Sequence, residues 1–191
     1  IGDIHRNVLR IELKGIYILE DGNQPIIGVA AGEVWHDFVM WTLSNELGGV
    51  ENLSLIPGTM GAAPMQNIGA YGVELESVFH SLQAVEIGTG KVRVFLKEEC
   101  KFGYRDSIFK KEVKDKYVIT GVNIQLSRDH KLNTTYGVIQ DVLKERGVEH
   151  PTIHDVSNAV ISIRQSKLPD PAVIGNAGSF FKNPVIPTDQ F

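Results

Sequence analysis

Apolar and polar positions follow two rhythms along this chain, a period of two first and a helical period later. IELKGIYIL (11–19) and PIIGVAAGE (25–33) are β-branched runs on either side of the turn signal EDGNQ, and they predict a hairpin. Next, VWHDFVMWTLSNEL (34–47) sets Trp35, Phe38, Val39, Thr42, Leu43 and Leu47 at helical spacing, with Gly48-Gly49 as the stop. SLQAVEI and KVRVFL flank GTG and predict a second hairpin, and YVITGVNIQL (117–126) places Val118, Thr120, Val122, Ile124 and Leu126 on one face of a strand. Residues 136–147 and 152–166 then turn helical. The second of these helices opens with Thr152 three residues before Asp155, a capping-box spacing, and carries Ile153, Val156, Val160 and Ile163 as its apolar stripe before KLPDP ends it. Strands first and helices later predict an α+β chain: a mixed sheet with helices against it over about residues 10–126, then helices leading into a second lobe.

Composition narrows the function more than the fold. Of 191 residues, 42% are hydrophobic and 22% charged, which suits a chain with a real core. A net charge of −4 without basic patches or tails argues against nucleic acid and anionic membrane surfaces as partners, while leaving room for anionic small molecules. Cys100 is the single cysteine, so there is no disulfide framework and no cysteine-based zinc site, and the residue reads as a small apolar one. No run reaches the roughly 18 apolar residues of a membrane span, so a cytoplasmic protein is expected. The sequence starts at Ile1 and stops at Phe191 directly after a motif, as a piece cut at both ends would. His150 and His154 straddle Pro151 and lack a nearby third ligand, so no metal is expected. GTGK (88–91) is not a phosphate loop, because Val92 begins a strand where a helix would be needed.

Three stretches hold candidate chemistry. PGTMGAAPMQNIGAYG (57–72) carries four glycines and no charge, so it is either a tight loop or one whose main-chain N–H groups converge on an anion such as a dinucleotide pyrophosphate. The Rossmann spacing is absent from it. CKFGYRDSIFK (100–110) sets Arg105 between Tyr104 and Asp106, either in a structural ion pair or as a clamp on a carboxylate. KLPDPAVIGNAGSFFKNP (167–184) places Ser179 on a small-residue turn near Lys182 and Asn183. It lacks the setting of a hydrolase nucleophile, but a serine there can donate a proton.

Together the three stretches, in this order, resemble the UDP-N-acetylenolpyruvoylglucosamine reductase family of peptidoglycan precursor synthesis, the subgroup with a tyrosine-bearing substrate loop, across essentially the whole chain. The resemblance implies a central FAD-binding domain of the vanillyl-alcohol-oxidase type over residues 1–129 and the start of a substrate-binding lobe over 130–191. It implies FAD and NADPH as cofactors, a UDP-sugar as substrate, and a monomer. Ile56, Gly58, Gly61, Ala62, Met65, Ile68 and Gly69 would line the FAD, with Arg164 as a further flavin contact. Arg105 would hold the enolpyruvyl carboxylate and Ser179 would protonate the intermediate, with Tyr104, Tyr136, Lys167 and Asn183 at the UDP-sugar. The family's N-terminal lobe and its C-terminal catalytic glutamate are not in this sequence. Two other readings stay open: a different FAD-dependent oxidoreductase of the same superfamily, and a non-catalytic domain that binds a nucleotide or a partner.

Overall fold

A computed structural model describes residues 8–170, 173–175, 182–184 and 186–188. Among them the hairpin β1 (Ile16–Glu20)–β2 (Ile26–Ala30) leads into helix α1 (Trp35–Ser44). A loop region follows, containing a 3-10 turn at Met60–Gln66 and the two-residue strands β3 (Gly69–Ala70) and β4 (Val73–Glu74). The second hairpin is β5 (Phe79–Glu86)–β6 (Val92–Leu96), followed by the single turn α2 (Lys97–Cys100) and strand β7 (Tyr117–Gln125). Helices α3 (Gly137–Glu145) and α4 (Ile153–Lys167) come last.

The main sheet runs β1-β2-β7-β5-β6. Each neighbouring pair is antiparallel, so the sheet is not mixed as the sequence suggests. Two hairpins flank β7, which returns antiparallel to both of its neighbours between them. Its inward face meets α1 and the loop region in one core, where Ile27, Val29, Leu82, Phe95, Val122 and Ile124 pack with Trp35, Phe38, Leu53 and Met60. Burying side chains of this size stabilises the fold by about 1.5–3 kcal/mol each.

Three expectations need correction. In β7 the inward set is Ile119, Val122 and Ile124, continued by Leu126 just after the strand, not Val118 and Thr120. The pairing with β5 skips a residue, from Gln83↔Gly121 to Ala84↔Ile119, and this bulge reverses which face is buried. Strand β1 begins at Ile16 because Gly15 sits at φ +136°, which breaks the extended run from residue 11. Helix α1 ends at Ser44, before the two glycines, where Asn45 caps it by donating from Nδ2 to the Trp41 carbonyl. Leu47 is buried all the same.

Helix α4 forms as its pattern dictates. Thr152 and Asp155 make the capping box in both directions, and Ile153, Val156, Val160 and Ile163 are all buried. Its stripe serves two cores. Ile153 joins the main one, while Ala159, Val160 and Ile163 pack with Ile139 and Leu143 of α3 in a second. Ser157 also meets Ser54 of the loop region, hydroxyl to hydroxyl at 2.8 Å. Through these contacts α4 is fixed against the glycine-rich loop.

Candidate functional site

The glycine-rich loop is held from both sides by its own main chain. Its start pairs with the entry to α1: Trp35 donates to the Gly58 carbonyl and Met60 to that of Glu33. Gly61 donates to Ala31, Ala62 to Thr59, and Ile68 to Ala63. Those N–H groups are therefore not free for a ligand. The N–H groups of Ile56, Gly58 and Thr59 meet no acceptor among the described residues. Gly58 is exposed at φ +115°, and a Cβ built on it would find nothing within 4 Å. This is open space at Gly58 beside a short run of donors without acceptors, a fit for an anionic or carbonyl-bearing group such as FAD.

The glycines differ in purpose. A Cβ on Gly61 would lie 2.7 Å from that of Ala31, so this position is bare because two segments of the protein touch. At Gly69 a Cβ would lie 2.6 Å from Arg105 Nη1. Met65 is 37% exposed and Ala62 is exposed, whereas Ile68, 7% exposed, turns into the core. Ile56 is half-buried at the edge of that core.

Arg105 closes the far side of the loop. It lies at φ +54° in the tight turn Gly103–Asp106, an unusual conformation for a residue with a Cβ. Its Nη2 donates to the Gly69 carbonyl, and Nη1 reaches the Asn67 carbonyl and Glu74 Oε1, both at 3.4 Å. Arg105 thus pairs with Glu74, and its Nε has no acceptor among the described residues. Asn67 organises this corner. Buried and left-handed, it donates to Glu74 Oε2 at 2.9 Å and to the Gly103 carbonyl, and accepts from the Glu76 N–H. Ser107 adds a tie from its hydroxyl to the Met65 carbonyl at 2.7 Å.

The exposed Tyr104 ring lies 5.1 Å from the Arg105 guanidinium and 5.3 Å from Lys182 Nζ. Segment 182–184, with the exposed Asn183, thus returns beside the Arg105 turn. Asp106 there is held below the usual carboxylate range, first by its bond from Lys111 and more weakly by Lys182. Lys167 is exposed at the end of α4. Ser179 lies outside the described residues.

The near side of the loop is closed by Arg164 of α4, whose Nε donates to the Leu55 carbonyl at 3.1 Å. The same guanidinium lies against the Tyr71 hydroxyl. Burial raises the Tyr71 pKa, and the nearby positive charge of Arg164 opposes this. Tyr71 meets Tyr136 edge-on, ring centroids 5.5 Å apart. Opposite Arg164, His36 Nδ1 accepts the Leu55 N–H at 3.0 Å. Sequence reasoning missed His36, Asn67, Tyr71 and Glu74. The only signal for Asn67 was its residue type, which tolerates left-handed backbone. Among the described residues no group of three or more His, Cys, Asp or Glu could hold a metal, and His154 instead meets Glu46.

Residues 6–95 match the FAD binding domain family. UDP-N-acetylenolpyruvoylglucosamine reductase of Flavobacterium johnsoniae is 53% identical over 191 residues, covering 99% of this chain and 57% of its own length. The protein of the same name from Pseudomonas fluorescens is 54% identical over 186 residues, covering 97% and 55%. The crystal structure of UDP-N-acetylenolpyruvylglucosamine reductase from Thermus caldophilus superposes with a TM-score of 0.60 at 25% identity, over 82% of this chain and 48% of that one. The chain spans a little over half the length of the curated relatives it matches. With an α+β fold, an FAD binding domain and this identity along its whole length, the chain is a homologue of the UDP-N-acetylenolpyruvoylglucosamine reductases.

Proposed function

We propose that this chain is the FAD-binding part, with the first part of the substrate lobe, of a cytoplasmic enzyme that reduces UDP-N-acetylglucosamine enolpyruvate to UDP-N-acetylmuramate with NADPH. The observation that carries the reading is the loop from Leu55 to Gly72. It leaves the N–H groups of Ile56, Gly58 and Thr59 without an acceptor among the described residues while two arginines from other elements hold its carbonyls. We place the boundary between the two parts near residue 129, with α4 docking the second part onto the first.

In this reading Ile56, Gly58, Ala62 and Met65 line the FAD, and Gly61, Ile68 and Gly69 shape the loop from beneath. Bound FAD would supply the hydride, taken from NADPH and delivered to C3 of the enolpyruvyl group. Arg105 binds the substrate carboxylate through donors its present partners leave over, and its charge offsets the negative charge that grows on the substrate oxygens. Ser179 gives its hydroxyl proton to C2. Tyr104, Tyr136, Lys167 and Asn183 hold the UDP-sugar, with the edge-on Tyr71 fixing the Tyr136 ring. The enzyme acts as a monomer.

The test is stopped-flow absorbance on the full-length protein containing this chain. NADPH should bleach a bound flavin, and the enolpyruvyl UDP-sugar should restore its colour. A flavin that NADPH bleaches but only oxygen restores would point to another oxidoreductase, and a protein with no flavin would overturn the reading.

A further inference from the structure

Leu55 is left-handed, at φ +57°, although it is neither glycine nor asparagine. For a leucine this conformation costs roughly 1–3 kcal/mol and persists only where its surroundings impose it. Both polar groups of this residue are held by side chains from separate helices. His36 on α1 accepts its N–H at 3.0 Å, and Arg164 on α4 donates to its carbonyl at 3.1 Å. Just after it come the N–H groups of Ile56, Gly58 and Thr59, which meet no acceptor among the described residues. The direction of those donors therefore depends on the backbone turn at Leu55.

We propose that His36 is a positioning residue for the cofactor loop: with its proton on Nε2, its Nδ1 holds Leu55 left-handed against Arg164 and so aims the Ile56, Gly58 and Thr59 donors at FAD. The tautomer follows from the bond, since a ring nitrogen that accepts an N–H carries no proton itself. Burial favours the neutral ring and so does Arg164, with Asp37 on the same helix opposing. The inference rests on the FAD reading, but makes a separate demand on one ring nitrogen.

Asparagine places its side-chain oxygen where Nδ1 lies, whereas glutamine places its oxygen one atom further out. In the full-length protein, FAD affinity measured by flavin fluorescence titration should stay within about threefold of wild type for His36→Asn and fall tenfold or more for His36→Gln, with far-UV circular dichroism unchanged in both. Equal binding by His36→Gln, or equal losses in the two variants, overturns the proposal. Should either variant fail to fold, ring ¹⁵N correlation spectra of the wild type decide: an unprotonated Nδ1 with a protonated Nε2 supports the clamp, and a proton on Nδ1 overturns it. A wild type that takes up no FAD sinks the functional reading instead, with the ring spectra still judging the clamp.

Discussion

Gly61→Ala is a sharp probe of how the loop is built. The added methyl would sit 2.7 Å from the Ala31 Cβ and 3.2 Å from the Ala31 carbonyl oxygen, where carbons ordinarily approach to about 3.5–4.0 Å. Ala31 is buried and cannot swing aside, because its N–H is bonded to the Thr120 carbonyl of β7. The loop must instead back away by most of an ångström, stretching the 2.9 Å bond from the Gly61 N–H to the Ala31 carbonyl. Overpacking of this kind costs about 1–3 kcal/mol, and weakening one hydrogen bond about 1 kcal/mol. We expect a loss of about 2–3 kcal/mol in urea unfolding followed by tryptophan fluorescence, with a melting temperature lower by about 2–4 °C for each kcal/mol. Adding Ala31→Gly removes the nearest atom and leaves the carbonyl oxygen, so it should recover about 1–2 kcal/mol of the loss as a coupling energy. If Gly61→Ala costs nothing, or costs the same with and without the Ala31 methyl, the close approach is not what keeps residue 61 bare.

Gly58→Val contrasts with this. Its Cβ meets no atom within 4 Å, so it should lower stability mainly by strain at φ +115°, about 1–3 kcal/mol in denaturant titration, while lowering FAD affinity at least tenfold. Ser107→Ala removes both the acceptor for the Phe109 N–H and the tie to the Met65 carbonyl, and should destabilise by about 1–3 kcal/mol on calorimetry. The Cys100 thiol is buried and pushed up to about 12, so it should resist an alkylating reagent at pH 8 and be labelled only as the chain unfolds. Asp155 is held below its ordinary 3.8, first by the Thr152 hydroxyl and then by the Thr152 N–H. Its contribution is complete above 3.8 and disappears as pH falls through the lower folded value, so acid unfolding should lose the hydroxyl's share of that increment in Thr152→Ala, which keeps the N–H.

The helices and hairpins were legible because each carries its own instruction. The α4 stripe and capping box needed no partner to be recognised, and Trp35, Phe38, Val39, Thr42, Leu43 and Leu47 are all buried as their spacing predicts. The bulge in β7 was not legible. It arises from the match between two strands far apart in sequence, and it changes which of Thr120 and Ile119 turns inward. The 3-10 turn at Met60–Gln66 follows no apolar period, since glycine, alanine and proline fill it. For the site, the motif residues Gly58 and Arg105 could be named from the sequence, but their supports could not. His36 reads as one polar position in an amphipathic helix, and only the tertiary fold shows it 3.0 Å from the Leu55 N–H. Glu74 and Asn67 likewise reveal their hold on Arg105 only when three separated segments meet.

A structure of the full-length protein crystallised with FAD is the most direct test of the central claim. The account predicts FAD lying along residues 55–72, with its acceptor atoms within hydrogen-bond distance of the N–H groups of Gly58 and Thr59, and Leu55 still left-handed between His36 and Arg164. FAD bound at another surface, or bound here with those two N–H groups still facing solvent, would contradict it.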